Sequence, residues 1–78
     1  MMPLSLTNPG ETVLVFRVKG NNEAKQHLAD LGFVPGTPVT VVSQNGGDVI
    51  VNIKDSHLAL TREMATRIDV EPVHDRSI

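Results

Sequence analysis

The sequence contains no cysteine, tryptophan or tyrosine, and only two phenylalanines. Without thiols, disulfide staples, thiolate metal centres and cysteine nucleophiles are all excluded. A secreted domain this small normally relies on such staples, so their absence favours a cytoplasmic location. Two phenylalanines leave almost nothing on which nucleobases could stack. Charge of one sign is also scarce: seven Lys and Arg stand against nine Asp and Glu, for a formal net charge of −2. With no basic stripe along the chain, a nucleic-acid or phosphate-binding surface is not expected. No apolar run approaches the roughly 20 residues that span a bilayer, so no direct membrane insertion is expected. The opening Met1-Met2-Pro3-Leu4-Ser5-Leu6 lacks the basic and apolar regions of a signal peptide.

What is present fits one small domain, with its core over residues 7–72 and a flexible tail over 73–78. A chain of 78 residues buries only about 60% of its unfolded surface, so its stability should be a few kcal/mol. Nearly every apolar side chain is then needed in the core, and little interior remains for an enclosed active site. Thr7-Asn8-Pro9-Gly10 is turn chemistry. Glu11 to Lys19 follows as a strand, with Val13 and Val15 on one face and Leu14, Phe16 and Val18 on the other. Asn21 or Asn22 can cap a helix, with Glu23 in its first turn. Ala24, Leu28 and Leu31 fall at i, i+4 and i+7, the one apolar face of a helix of about ten residues, too short to persist undocked.

Leu31-Gly32-Phe33-Val34-Pro35-Gly36 then makes a corner. Gly32 suits the left-handed residue of a Schellman ending, in which Phe33 packs back on Leu28. Val34-Pro35-Gly36-Thr37 suits a type II turn. Val39 to Ser43 and Asp48 to Lys54 read as strands joined by a hairpin at Gln44-Asn45-Gly46-Gly47. His57 to Leu60 is a short fourth strand, Thr61 caps a helical turn over residues 62–65, and residues 68–71 form a closing strand that Pro72 stops. The pattern predicts a mostly β fold: a small barrel of about five antiparallel strands, one α-helix between the first two, and a short helical turn before the last.

Four stretches together resemble the FeoA family of small proteins associated with bacterial ferrous iron uptake. They are Leu28-Ala29-Asp30-Leu31-Gly32-Phe33-Val34-Pro35-Gly36, Val39-Thr40-Val41-Val42, Leu58-Ala59-Leu60-Thr61-Arg62-Glu63-Met64-Ala65 and Ile68-Asp69-Val70. The resemblance implies an SH3-like barrel, a cytoplasmic accessory protein without catalysis, and partnership with the FeoB membrane GTPase and transporter. It also implies an alternative, a transition-metal-responsive regulatory domain like that at the C-terminus of some iron-dependent repressors. There a residue on the first strand and one shortly after it can help to ligate metal. Lys19 holds the nearest position here and is no ordinary ligand, so that metal site is not carried over. Ser43 to Asp48 is also shorter than the matching connection in many family members.

The chain's own residues offer little chemistry. His27, His57 and His74 are the soft ligand candidates, and their wide spacing forms no local metal motif. His57, beside Asp55 at the start of a strand, is the one retained for Fe²⁺ or another transition-metal ion; no bound cofactor is otherwise expected. The carboxylates Asp48, Asp55, Glu63, Asp69 and Glu71 are scattered and read as solvated charge. No serine has the partners of a nucleophile. The working part is therefore expected to be an outer surface, with Lys25, Leu28, Phe33, Val34, Pro35 and Arg62 as its partner-binding residues. A barrel this small also leaves a strand edge through which two copies could form a homodimer.

Overall fold

The computed structural model describes residues 2–73. It holds six antiparallel strands and two helices, in the order β1 (Met2–Pro3), β2 (Thr12–Val18), α1 (Asn22–Asp30), β3 (Pro38–Asn45), β4 (Asp48–Ile53), β5 (Ser56–Thr61), α2 (Arg62–Thr66) and β6 (Ile68–Pro72). A single sheet runs β1-β6-β2-β3-β4-β5. Two tight connections set much of the order. Gly46 and Gly47 join β3 to β4, so Asn45 faces Asp48. Lys54 and Asp55, both at positive φ, join β4 to β5, so Ile53 faces Ser56. Positive φ at both central residues is the type I′ geometry that matches strand twist.

Two β-bulges curl this sheet. The ladder of β2 with β6 slips between Val15 and Arg17, and that of β3 with β4 slips between Val41 and Ser43. An extra residue in one strand bends it and increases its twist. It also reverses the alternation of faces. Val13 and Val15 point into the core as expected, but beyond the bulge the inward position is Val18, which packs against the core rather than joining Leu14 and Phe16. The extra residues Phe16 and Val42 are left partly exposed.

The core gathers Val13, Val15, Val39, Val41, Val49, Val51, Ile53, Leu60, Ile68 and Val70 from the sheet, with Leu28, Phe33 and Ala65 from the connections. Two expectations are corrected here. The sheet has six strands rather than five, because Met2 and Pro3 pair with Val70 and Asp69. The core begins before residue 7, because Leu4, in a 3-10 turn over Leu4–Leu6, is fully buried. Gln44 ties this turn down by donating from Nε2 to the Thr7 carbonyl at 2.6 Å. Of the expected flexible tail 73–78, residues 74–78 lie outside the described residues.

Candidate functional site

The corner that follows α1 is built as its residues require. Asn21 caps the helix, its side-chain oxygen accepting from the Ala24 N–H at 2.8 Å. At the other end the Phe33 N–H donates to the Leu28 carbonyl at 3.0 Å and the Gly32 N–H to the Ala29 carbonyl at 2.9 Å. Those two bonds, with Gly32 at φ 109°, are the Schellman ending. The Thr37 N–H closes the next turn on the Val34 carbonyl at 3.1 Å, with Gly36 at φ 90° where type II geometry excludes a side chain at low cost. Val15 of β2 pins this turn from the side. Its carbonyl accepts from the Gly36 N–H at 2.8 Å, and its N–H donates to the Thr37 carbonyl at 2.9 Å.

This geometry sorts the expected contact residues. Val34 is 38% exposed, and Pro35 and Lys25 are exposed as well. Leu28 and Phe33, also expected to meet a partner, are each only 1% exposed. That expectation is corrected: the Schellman bond that returns Phe33 to Leu28 also drives its ring inward. Arg62 is exposed but belongs elsewhere. Its Nη2 donates to the Gly46 carbonyl at 3.1 Å, at the far end of β3 from the corner, a strand length of about 20 Å away.

Phe16 is the residue that the sequence reading placed on a partly covered face without a functional role. It follows Val15, the residue hydrogen-bonded to the turn, and is 38% exposed. The only sequence-level signal would have been the bulge, which composition does not reveal. Phe16, Val34 and Pro35 are thus exposed apolar residues on two segments that the bonds of Val15 tie together. The Arg17 guanidinium lies 5.9 Å from the Phe16 ring centroid, within cation–π range.

Arg17 also donates from Nε to Asp69 Oδ2 at 2.9 Å, and Lys19 Nζ lies 3.5 Å from Asp69 Oδ1. Asp69 is buried, which corrects its reading as a solvated charge. The Arg17 hydrogen bond holds the Asp69 carboxyl below its ordinary range; burial opposes this and Lys19 assists it. A carboxyl whose folded-state pKa is depressed adds stability that is full above its unfolded value and is lost as pH falls through the folded one. Acid titration of stability should therefore show an extra loss below about pH 4, and Asp69→Asn should remove that increment. Because Arg17 is 63% exposed, the pair should contribute only about 1 kcal/mol. A wild-type and variant with superimposable acid-unfolding curves would refute this assignment.

The metal candidate His57 is exposed on β5, opposite Asn52. Among the described residues no group of three or more His, Asp or Glu could hold a metal ion. His57 with the neighbouring Asp55 is therefore an incomplete ligand set, and these residues do not fit a resident metal. Among the described residues there is also no helix long and apolar enough to cross a membrane.

The sequence model of the FeoA domain matches residues 2–72. A putative Fe(2+) transport protein A of Methanocaldococcus jannaschii is 34% identical over 71 residues, spanning 91% of this chain and 87% of the relative. An Fe(2+) transport protein A/Fe(2+) transporter FeoB fusion protein of Porphyromonas gingivalis is 33% identical over 72 residues, which are 90% of this chain and 8% of the fusion. Among solved structures, Stenotrophomonas maltophilia FeoA complexed with zinc, described as an SH3 domain protein, superposes with a TM-score of 0.81 at 27% identity, covering 91% of each chain. A manganese-dependent transcriptional repressor superposes with a TM-score of 0.83 at 20% identity, over 91% of this chain and 41% of that one, a likeness of fold.

Proposed function

Since the chain belongs to the FeoA domain family, we propose that it is a cytoplasmic, non-enzymatic accessory protein of ferrous iron transport that docks on a FeoB-type membrane GTPase and transporter. The observation that carries the proposal is the Porphyromonas fusion, in which a matching domain shares one polypeptide with FeoB. Tethering raises the local concentration of two modules to about millimolar, an arrangement suited to parts that work in contact. The docking surface is the bend after α1. Val34, Pro35 and Phe16 supply its apolar centre and Lys25 a charged contact, while Leu28 and Phe33 hold it from beneath. A rigid, prefolded apolar surface keeps the ordering cost of association low. Any influence on the GTPase must come from unequal affinity for its nucleotide states.

The test is a titration of the chain with the soluble GTPase region of a FeoB-type transporter, with and without nucleotide. Saturable binding is expected, weakened tenfold or more by Val34→Asp, a change at an exposed side chain, in a variant whose amide spectrum shows it folded. No association in any nucleotide state at about 1 mM, or equal affinity of variant and wild type, would overturn it. The metal-responsive regulatory alternative is favoured by fold likeness alone. It predicts stoichiometric Fe²⁺ or Mn²⁺ binding that His57→Ala weakens.

A further inference from the structure

The two edges of the sheet differ sharply. At one, β1 has only two residues, one of them Pro3, whose nitrogen carries no hydrogen. At the other, β5 offers six residues, Ser-His-Leu-Ala-Leu-Thr, paired with β4 alone. Its ladder with β4 runs unbroken from Ile53–Ser56 to Asp48–Thr61. Natural edges are usually blunted by lysine, proline, a bulge or extreme shortness. β5 has none of these, and no Asp, Glu, Lys or Arg.

The tight turn before β5 settles which of its backbone groups are free. Ile53 and Ser56 flank a two-residue loop, so they must exchange both hydrogen bonds. Bonded and non-bonded pairs then alternate along an antiparallel ladder. Ser56, Leu58 and Leu60 therefore turn their N–H and C=O groups toward β4. His57, Ala59 and Thr61 turn theirs outward. Thr61 caps α2, which leaves His57 and Ala59 presenting two donors and two acceptors along an open edge. Their side chains are exposed, so nothing from the core obstructs an added strand.

We infer that this edge is a self-association site, at which β5 of a second copy of this chain adds in antiparallel fashion about a two-fold axis. The second copy is the occupant favoured by charge. A two-fold contact sets each residue near its own twin, and like charges at such a contact are repulsive. An edge with no fixed charge avoids this penalty, whereas recognition of a charged foreign strand would call for complementary charge. The pairing surface is small, so the dimer is weak and concentration-dependent.

Sedimentation equilibrium from about 10 µM to about 1 mM should show a reversible monomer–dimer equilibrium. Hydrogen exchange across the same range should show the His57 and Ala59 amides gaining protection as the dimer fills. Ala59→Pro removes one outward donor at an edge position that tolerates proline, and Ala59→Lys adds like charge at the contact. Each should weaken dimerisation at least tenfold, while amide spectra show the monomer folded. A chain monomeric throughout the range overturns the inference. So does a dimer indifferent to both substitutions, or protection gained at β1 or at the bend instead. Protection of His57 and Ala59 only on addition of the soluble FeoB GTPase region would assign the edge to a foreign strand and equally overturn it.

Discussion

Phe33→Ala is expected to cost about 3–5 kcal/mol, and so to leave the domain largely unfolded at room temperature. Phe33 is the largest fully buried side chain of the domain, at 1% exposure. A domain of this size holds only a few kcal/mol in reserve. The ring sits where the Schellman ending of α1 meets the sheet, in a core otherwise made of small and branched aliphatic residues. No other aromatic ring lies in that core to spread into the space. Differential scanning calorimetry provides the check. Each kcal/mol should lower the Tm by about 4–8 °C in a domain this small, so a loss below about 10 °C would show that the ring is not a keystone. Phe33→Leu should recover much of the loss, since it retains most of the buried volume.

Leu28→Ala should behave differently, although its local cost, about 2–5 kcal/mol, is comparable. Leu28 is the one fully buried side chain of α1; Ala24 and Leu31 are only half-buried. A helix of nine residues does not survive undocked in water. Once its anchor is gone, α1 can leave the sheet at a cost below that of global unfolding, and this ceiling limits what the whole domain loses. Hydrogen exchange should therefore show amides of residues 22–30 becoming unprotected while those of β2, β3 and β4 stay slow. Uniform loss of protection across helix and sheet would mean that α1 and the sheet form a single cooperative unit. The same variant should lose binding to the GTPase region, because Val34 and Pro35 are presented from the end of that helix.

The bend was legible in the sequence because its information is local. Asn21 or Asn22, Gly32, Pro35 and Gly36 each announce a backbone requirement within a few positions; the Schellman bonds and the type II turn form where those residues predict, and of the two candidate caps Asn21 is the one used. The hairpin between β3 and β4 and the cap at Thr61 were readable for the same reason, whereas Lys54, read as the end of a strand, lies with Asp55 in the second turn, and β5 begins at Ser56 rather than His57. What escaped depends on partners far along the chain. A two-residue strand such as β1 has no periodicity to detect, and it exists because Val70 and Asp69 are there to pair with it. Asp69 looks like any surface carboxylate until Arg17, 52 positions away, is folded onto it. The bulges at Phe16 and Val42 change the facing of every later residue without changing composition, so Val18 was placed on the wrong face. Phe33 was misassigned to the contact surface because position at a corner suggested exposure, whereas the bond returning it to Leu28 decides the matter.

β2 and β3 are joined directly at Leu14–Pro38, Val13–Val39 and Thr12–Thr40, and Val15 adds its own bonds to Gly36 and Thr37. The stretch that carries α1 therefore departs from the sheet and returns to it through a sealed doorway. Its length can vary at little cost, since closing a longer excursion adds only logarithmically to the entropy lost. The sheet can then serve as a fixed frame on which this one interchangeable cassette is exchanged, leaving the frame's own folding untouched.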